Sequence, residues 1–269
     1  MPIHPSAVIH PSVELPPDAE VGPYAVLDED VMVGADARIG PFCHLYPGVR
    51  LEEDVTLSDG VILGNRPQDL KYRGEKTFVG IGRGTVLREY VTVNRGTQVS
   101  GWTRVGRDCL IMAYSHVAHD CVLGDGVILA NAVHMGGHVS IGEGAVVSGM
   151  TGIHQFVTIG PGAFIGGGLR VDKDVLPFSK ALGEPLRWAG LNPMGLSRLG
   201  CTAGDQAVLR ACYRALFAGG KEAALAALSE LSGGKAGNGE ETGPGRLAEW
   251  MGDFFGRQSR GILLRTRPD

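Results

Sequence analysis

The sequence predicts an all-β parallel β-helix built from hexapeptide repeats, followed by a small α-helical domain, and three observations carry that prediction. Large aliphatic residues recur every six positions from Ile3 through Ile9, Leu15, Val21 and Leu27 to Leu63, and again in the same register from Ile81 to Val171. A smaller residue stands four positions after many of them, as at Ala7, Ala19, Ala25, Ala37, Cys43, Thr85, Cys109, Ser115, Cys121, Ala145 and Ala163. Beyond Val175 both ladders stop and helical spacing takes over.

A period of six suits neither an α-helix nor an isolated alternating strand. It suits a short strand and a tight turn repeated coil upon coil. One large and one small inward residue per hexad fill a narrow prism, and the glycines that often follow the large position, such as Gly34, Gly82 and Gly106, relieve its corners. Three hexads make a triangular coil, so residues eighteen apart stack at the ~4.8 Å spacing of parallel strands.

Residues 1–176 form the prism on this reading, with uninterrupted hexads from 3 to 63. Residues 64–80, GNRPQDLKYRGEKTFVG, lose the apolar ladder; a segment about one coil long without inward residues is expected to leave the prism as a loop, where function concentrates. The polar stretch Asn94 to Thr103 is expected to bulge too, with Val99 matching the register by chance. Residues 177–192, holding Pro177, Pro185 and Gly190, read as a linker. In 193–269, Val208, Ala211, Cys212, Ala215 and Leu216 follow helical spacing, as do Leu225, Leu228 and Leu231. A Gly-rich loop from Gly233 to Gly245 precedes a last helix carrying Leu247, Trp250, Met251, Phe254 and Phe255 on one face. A unit of roughly 75 residues buries little by itself, so it is expected to pack on the prism or on a neighbouring subunit. Its basic residues, among them Arg198, Arg210, Arg214, Lys221 and Arg246, read either as ordinary solvated surface or as a dock for an acidic partner.

Composition narrows the function classes. The 42 glycines of the 269-residue chain lack a triplet period, which excludes collagen. No run of eighteen apolar residues occurs, and the start MPIHPSAV has neither a basic nor an apolar region, so a cytoplasmic protein that does not span the membrane is expected. Five cysteines without CxxC spacing, three of them on the inward ladder, read as reduced core residues. A net charge of −4 argues against general nucleic-acid binding.

The eight histidines avoid both inward ladders. A single histidine is most often a surface residue, but eighteen-residue stacking gathers several. It places His119, Gly137 and Gln155 in one column, Asp120, His138 and Phe156 in the next, and His116 over His134, on an outer strip about 10 Å tall. His154 lies beside them. His119 is the best candidate general base, since an imidazole of ordinary pKa near 6.5 accepts a proton at neutral pH. Asp120 would orient it and stabilise the imidazolium, and Gly137 would offer a backbone N–H to an oxyanion. Cys121 points inward on this reading and no nucleophile motif is present, which favours direct attack by a substrate hydroxyl.

The segments NRPQDLKYRGE (65–75), VNRGT (93–97), SHVAHDCVLGD (115–125), ILAN (128–131), GGHVSI (136–141) and TGIHQF (151–156) resemble the UDP-N-acetylglucosamine O-acyltransferases, cytosolic enzymes of the first committed step of lipid A synthesis. The resemblance runs over almost the whole chain. It implies a left-handed β-helix assembled as a homotrimer, an (R)-3-hydroxyacyl donor carried on acyl carrier protein, UDP-N-acetylglucosamine as acceptor, and neither a metal nor a cofactor beyond the carrier's phosphopantetheine. It implies that His119 is the base, Asp120 its support, and Gly137 the N–H facing the thioester oxygen. Gln68, Asp69 and Lys71 then line the cleft, and His116, His138, His154 and Gln155 contact sugar, nucleotide and acyl chain. Asn192 and Arg198 lie near the uridine and the carrier. Relatives commonly have a second basic residue after that arginine, where this chain has Leu199. Gly167, in the run Gly166 to Gly168, matches a position that sets acyl length; the alternative is that these glycines serve only the corner.

Three other readings fit less well. A γ-class carbonic anhydrase would bind zinc through histidines such as His116, His119 and His138, but the QDLKY loop and helical tail suit the acyltransferase. An ice-binding solenoid would show a flat Thr array. The sister N-acyltransferase would carry an extra domain before its hexads, which here begin at Ile3.

Overall fold

The computed structural model describes residues 3–232, 244–257 and 260–263. Three sheets, parallel but for the last strand of one, wrap one apolar core: a nine-stranded face from Val8–Ile9 to Arg170–Val171, a six-stranded face from Val49–Leu51 to Thr158–Ile159, and a ten-stranded face that begins at Glu20–Val21. Most strands are two residues long, because each face of the coil has room for one inward side chain and its neighbour before the chain turns. Both ladders point inward: Leu27, Leu45, Leu63, Ile111, Leu129 and Ile165 from the large one and Ala25, Cys43, Thr85, Ser115, Cys121 and Ala145 from the small one are buried. Ile3, on the first described coil, is exposed.

Strand pairing measures the two interruptions. His116 pairs with His134 and Val122 with Ser140, eighteen residues on. Leu63, by contrast, pairs with Val93, thirty residues on, so that coil carries twelve extra residues. Val93 pairs with Val117, twenty-four on, so the next carries six. Both insertions are multiples of six, which is why the ladder resumes in register after each. The first loop is shorter than a full coil: Gly64, Asn65 and Phe78 to Gly80 remain in strands, and residues 66–77 leave the prism. Val99 sits on the second loop, 73% exposed, and its place in the hexad register is accidental.

Residues 177–192 are not a plain linker. Ser179–Leu182 joins the ten-stranded face beside Phe164–Ile165, and Arg187–Leu191 pairs antiparallel with it. Helices α1 (Pro193–Arg198), α2 (Ala203–Ser232) and α3 (Pro244–Arg257) follow. The backbone of α2 breaks at Gly220, whose φ of +79° is available at little cost only to glycine. The buried face of α2 carries Leu209, Cys212, Tyr213 and Leu216. Val208, Ala211 and Ala215 are only half-buried, so the stripe lies one residue round from the expected one. Tyr213 wins that place because its hydroxyl donates to the Pro177 carbonyl. Leu247, Met251, Phe254 and Phe255 of α3 are buried as the spacing predicts, while the Gly-rich segment 233–243 lies outside the described residues.

The tail packs on the prism of its own chain. Arg246 pairs with Glu143 at 2.7 Å and lies over the Trp250 ring, which meets Phe178 edge-on. Leu263 returns to the end of the prism, donates its N–H to the Asp174 carbonyl and joins the prism core. Among the described residues no helix is long and apolar enough to cross a membrane.

Candidate active site

The corner between the nine- and six-stranded faces gathers the unusual residues of successive coils. Loop 66–77 leaves there after Ile62–Asn65, and the second loop leaves one coil on, between Thr92–Asn94 and Trp102–Val105. The next coil turns that corner at His119 and Asp120, the one after at Gly137 and His138, and the following one at Gln155 and Phe156. Asp120, His138 and Phe156 all take φ near +60° there. The eighteen-residue repeat thus converts distant sequence positions into one column.

His119 Nδ1 lies 2.8 Å from Asp120 Oδ2. Asp120 is buried, and its carboxylate also accepts from Thr97 N at 3.0 Å, Thr97 Oγ1 at 2.9 Å, Ser100 N at 3.3 Å and the Ser100 hydroxyl. Burial alone would raise this carboxyl, but the hydrogen bonds from His119, Ser100 and Thr97 outweigh it and hold it well below the usual carboxylate range. An ionised carboxylate only accepts, so the imidazole carries a proton on Nδ1, and in the neutral form of the ring that leaves the lone pair on Nε2. Gly137 lies against that ring: a Cβ there would come within 2.6 Å of Nε2. Any side chain at 137 would displace the imidazole, which gives this glycine a steric reason to be bare.

His138 meets His119 edge-on with centroids 5.0 Å apart and stacks on Phe156 at 4.6 Å. Burial and the neighbouring His119 lower its pKa, partly opposed by Asp120. His116 shares a hydrogen bond of 2.7 Å between Nδ1 and Thr92 Oγ1, and burial, with His134 and His119 nearby, lowers its pKa too. His154 and Gln155 sit on the same corner one coil further, His154 Nδ1 facing the Gln155 carbonyl at 3.1 Å. On loop 66–77, Asp69 accepts from Lys71 N–H at 2.9 Å, and the charges of both reach His138. Gln68 and Lys71 are exposed.

Three expected residues lie elsewhere in the chain. Asn192 is buried on the corner between the six- and ten-stranded faces, donating to the Gly162 carbonyl at 2.9 Å. Arg198 is exposed at the end of α1 beside it. Gly167 lies on the corner between the ten- and nine-stranded faces. Leu199, at the position where relatives carry a basic residue, packs over the bare corner glycines Gly144 and Gly162. Thr97, Ser100 and Thr103, whose hydroxyl accepts from Asp120 N–H at 2.9 Å, were missed from sequence. Their one signal was the polar six-residue insertion itself.

Donor atoms of His119, Asp120 and His138 lie within 4.8 Å of one another. The Asp120 oxygens in that group already accept from five hydrogen-bond donors, and His116, whose Nδ1 meets Thr92 Oγ1, is not part of it.

A hexad prism with an imidazole–carboxylate pair at one corner is the arrangement of a hexapeptide-repeat acyltransferase, and the comparisons place the chain in that class. Residues 103–137 match the family model described as bacterial transferase hexapeptide (six repeats), and residues 174–263 match that of UDP N-acetylglucosamine O-acyltransferase, domain 2. An acyl-[acyl-carrier-protein]–UDP-N-acetylglucosamine O-acyltransferase of Thiobacillus denitrificans is 39% identical over 204 residues, 76% of each chain. One from a Synechocystis species is 42% identical over 158 residues, covering 59% of this chain and 57% of that relative. The match thus spans little more than half of the Synechocystis relative's length. The structure of the UDP-N-acetylglucosamine acyltransferase of Francisella novicida superposes with a TM-score of 0.88 at 29% identity, covering 98% and 94% of the two chains. That of Campylobacter jejuni gives 0.85 at 33%, covering 98% and 100%. The chain belongs to the UDP-N-acetylglucosamine O-acyltransferase family, and its prism is the left-handed β-helix of that family, an exception to the right-handed crossover rule.

Proposed function

We propose that this protein transfers an (R)-3-hydroxyacyl chain from an acyl-carrier-protein thioester to the 3-hydroxyl of UDP-N-acetylglucosamine, in the cytoplasm, as the first step of lipid A synthesis. The observation that carries the reading is the 2.8 Å contact that turns His119 Nδ1 onto the buried Asp120 carboxylate and leaves Nε2 for another partner at this corner. Nε2 takes the proton of the sugar hydroxyl as its oxygen attacks the thioester carbon. The tetrahedral oxyanion then expels the carrier thiolate, and the imidazolium returns the proton to that sulfur. Asp120 stays ionised throughout and stabilises the imidazolium. The Gly137 N–H supports the oxyanion in this scheme. No covalent enzyme intermediate is needed: Cys121 is buried, and burial pushes its thiol up to about 12.

His138, His116, His154 and Gln155 bind acyl chain and nucleotide sugar along the corner, with Gln68, Asp69 and Lys71 on the opposite wall. Asn192, Arg198 and Gly167 occupy other corners, so they reach His119 only from another copy of the chain, and we propose a homotrimer with sites between subunits. His119→Ala tests the base. Its side chain is 12% exposed and not simply outward, so removal should cost about 1 kcal/mol of stability. The rate should fall by at least ~10²-fold, within the range of general-base catalysis, and Asp120→Asn should cost less, because the imidazole remains. A folded His119→Ala protein with near-normal turnover would remove His119 from the mechanism.

A further inference from the structure

We propose that the six-residue insertion after Asn94 is a positioning device for the catalytic pair: Thr97 and Ser100 hold the Asp120 carboxylate so that His119 is kept in the one tautomer that works as a base. This rests on the reading of His119 as the base, and goes beyond it by assigning a task to a loop that touches neither reacting atom.

The geometry is specific. Oδ1 of Asp120 accepts from the backbone N–H groups of Thr97 and Ser100 and from the Ser100 hydroxyl, while Oδ2 accepts from the Thr97 hydroxyl and His119. A carboxylate held by one imidazole alone rotates freely about its Cβ–Cγ bond. Four further donors on both oxygens fix its plane and keep Oδ2 on the Nδ1 side of the ring. The loop is itself closed by Thr97: its hydroxyl accepts from Val99 N–H at 3.2 Å, and its carbonyl accepts from Gly101 N–H at 2.7 Å. Thr103, on the strand that the loop returns to, accepts from the Asp120 N–H and anchors the backbone of the same residue. The insertion is therefore fastened to Asp120 at side chain and backbone. An ordinary eighteen-residue coil has no spare residues with which to do this. Without the insertion, the corner below His119 would be a bare two-residue turn like the one above it.

The consequence is chemical as well as steric. If Asp120 turns away, the imidazole exchanges freely between Nδ1–H and Nε2–H forms, and the second has no lone pair facing the acceptor hydroxyl. Thr97 and Ser100 are thus positioning residues, acting through Asp120.

The test uses the full-length protein with ¹⁵N-labelled histidine. Wild type, Ser100→Ala, Thr97→Val, the double variant and Thr97→Ser are compared by nitrogen chemical shifts of the His119 ring, assigned with His119→Gln. The same proteins are assayed for acyl transfer. In wild type His119 is expected to show a single Nδ1–H tautomer. In the double variant an Nε2–H population should appear and kcat should fall about tenfold, a part of the ~10²–10⁴-fold that a general base supplies. KM for the nucleotide sugar should be unchanged, and Thr97→Ser should retain the wild-type tautomer and rate. Ser100 is exposed, so Ser100→Ala gives a folded variant even if Thr97→Val does not. A single Nδ1–H tautomer preserved in every folded variant would overturn the proposal, whatever happens to the rate. The nitrogen measurement needs no turnover, so a wild type inactive in acyl transfer would count against the proposed reaction and not against this role.

Discussion

His116 and His138 show how burial on this corner becomes a pH dependence. Each is held below the ordinary imidazole value, first by burial, so the folded protein binds these protons more weakly than the unfolded chain does. Their contribution to stability is therefore complete above about pH 6.5 and is lost as pH falls through each folded value. Denaturant midpoints at pH 7.5 and pH 5.5 should show an acid loss in wild type that is smaller in His116→Gln, whose amide can still bond Thr92. Equal losses would mean that His116 is not held neutral. Asp120 has the same sign at lower pH. Its depressed value gives stability that is full above about pH 4 and lost only in stronger acid. At this scale the sequence was legible where stacking alone decided position. The columns His119–Gly137 and Asp120–His138–Phe156 needed only an eighteen-residue ruler. The donors on Asp120 were not legible, because an inserted loop has no repeat to place it and its hydroxyls reach the site through backbone turns that no period encodes.

At the scale of elements, the hexad pattern records inward positions but not which matches are real. Leu129 and Val99 both fall on the six-residue ladder, yet Leu129 is fully buried in the prism and Val99 lies on a loop, 73% exposed. Leu129→Ala should cost about 2–5 kcal/mol, as for other large-to-small core changes. Val99→Ser should stay within about 0.5 kcal/mol. Urea denaturation of the two variants checks this, and similar losses would contradict the described register. The tail illustrates a different limit. Helical spacing located α2 and α3, but the face that turns inward was set by one long-range partner, the Pro177 carbonyl that receives the Tyr213 hydroxyl. The hairpin at 179–191 was hidden for a related reason. Pro185 lies in its turn and Gly190 near the far end of its second strand, and both read as linker signals, while the sheet edge left open by Phe164–Ile165 is a tertiary fact.

The whole molecule places one group of site residues on one corner of the prism and Asn192, Arg198 and Gly167 on the other two. An assembled site between chains makes a sharp prediction. Co-expressed His119→Ala and Arg198→Ala chains, each inactive alone, should form mixed assemblies with some intact sites and recover part of the activity. A site contained within one chain would give no recovery. The acyl-length role proposed for Gly167 belongs to the same scale. A Cβ at Gly167 would lie 3.2 Å from the Gly149 carbonyl, so a larger residue is admitted there only by projecting outward over the exposed corner. Gly167→Met should therefore favour shorter donors. Each excluded methylene is worth ~0.8 kcal/mol, so four carbons would shift the kcat/KM ratio of long to short 3-hydroxyacyl donors by roughly a hundredfold; an unchanged ratio would leave the glycine to its corner. The reaction itself is tested most directly by mass spectrometry of products from UDP-N-acetylglucosamine and a 3-hydroxyacyl-carrier thioester. The account predicts a nucleotide sugar heavier by one 3-hydroxyacyl group attached through an ester at the 3-oxygen, formed with release of the free carrier thiol. An acceptor returned unmodified by the folded wild-type protein across the range of donor lengths would contradict it.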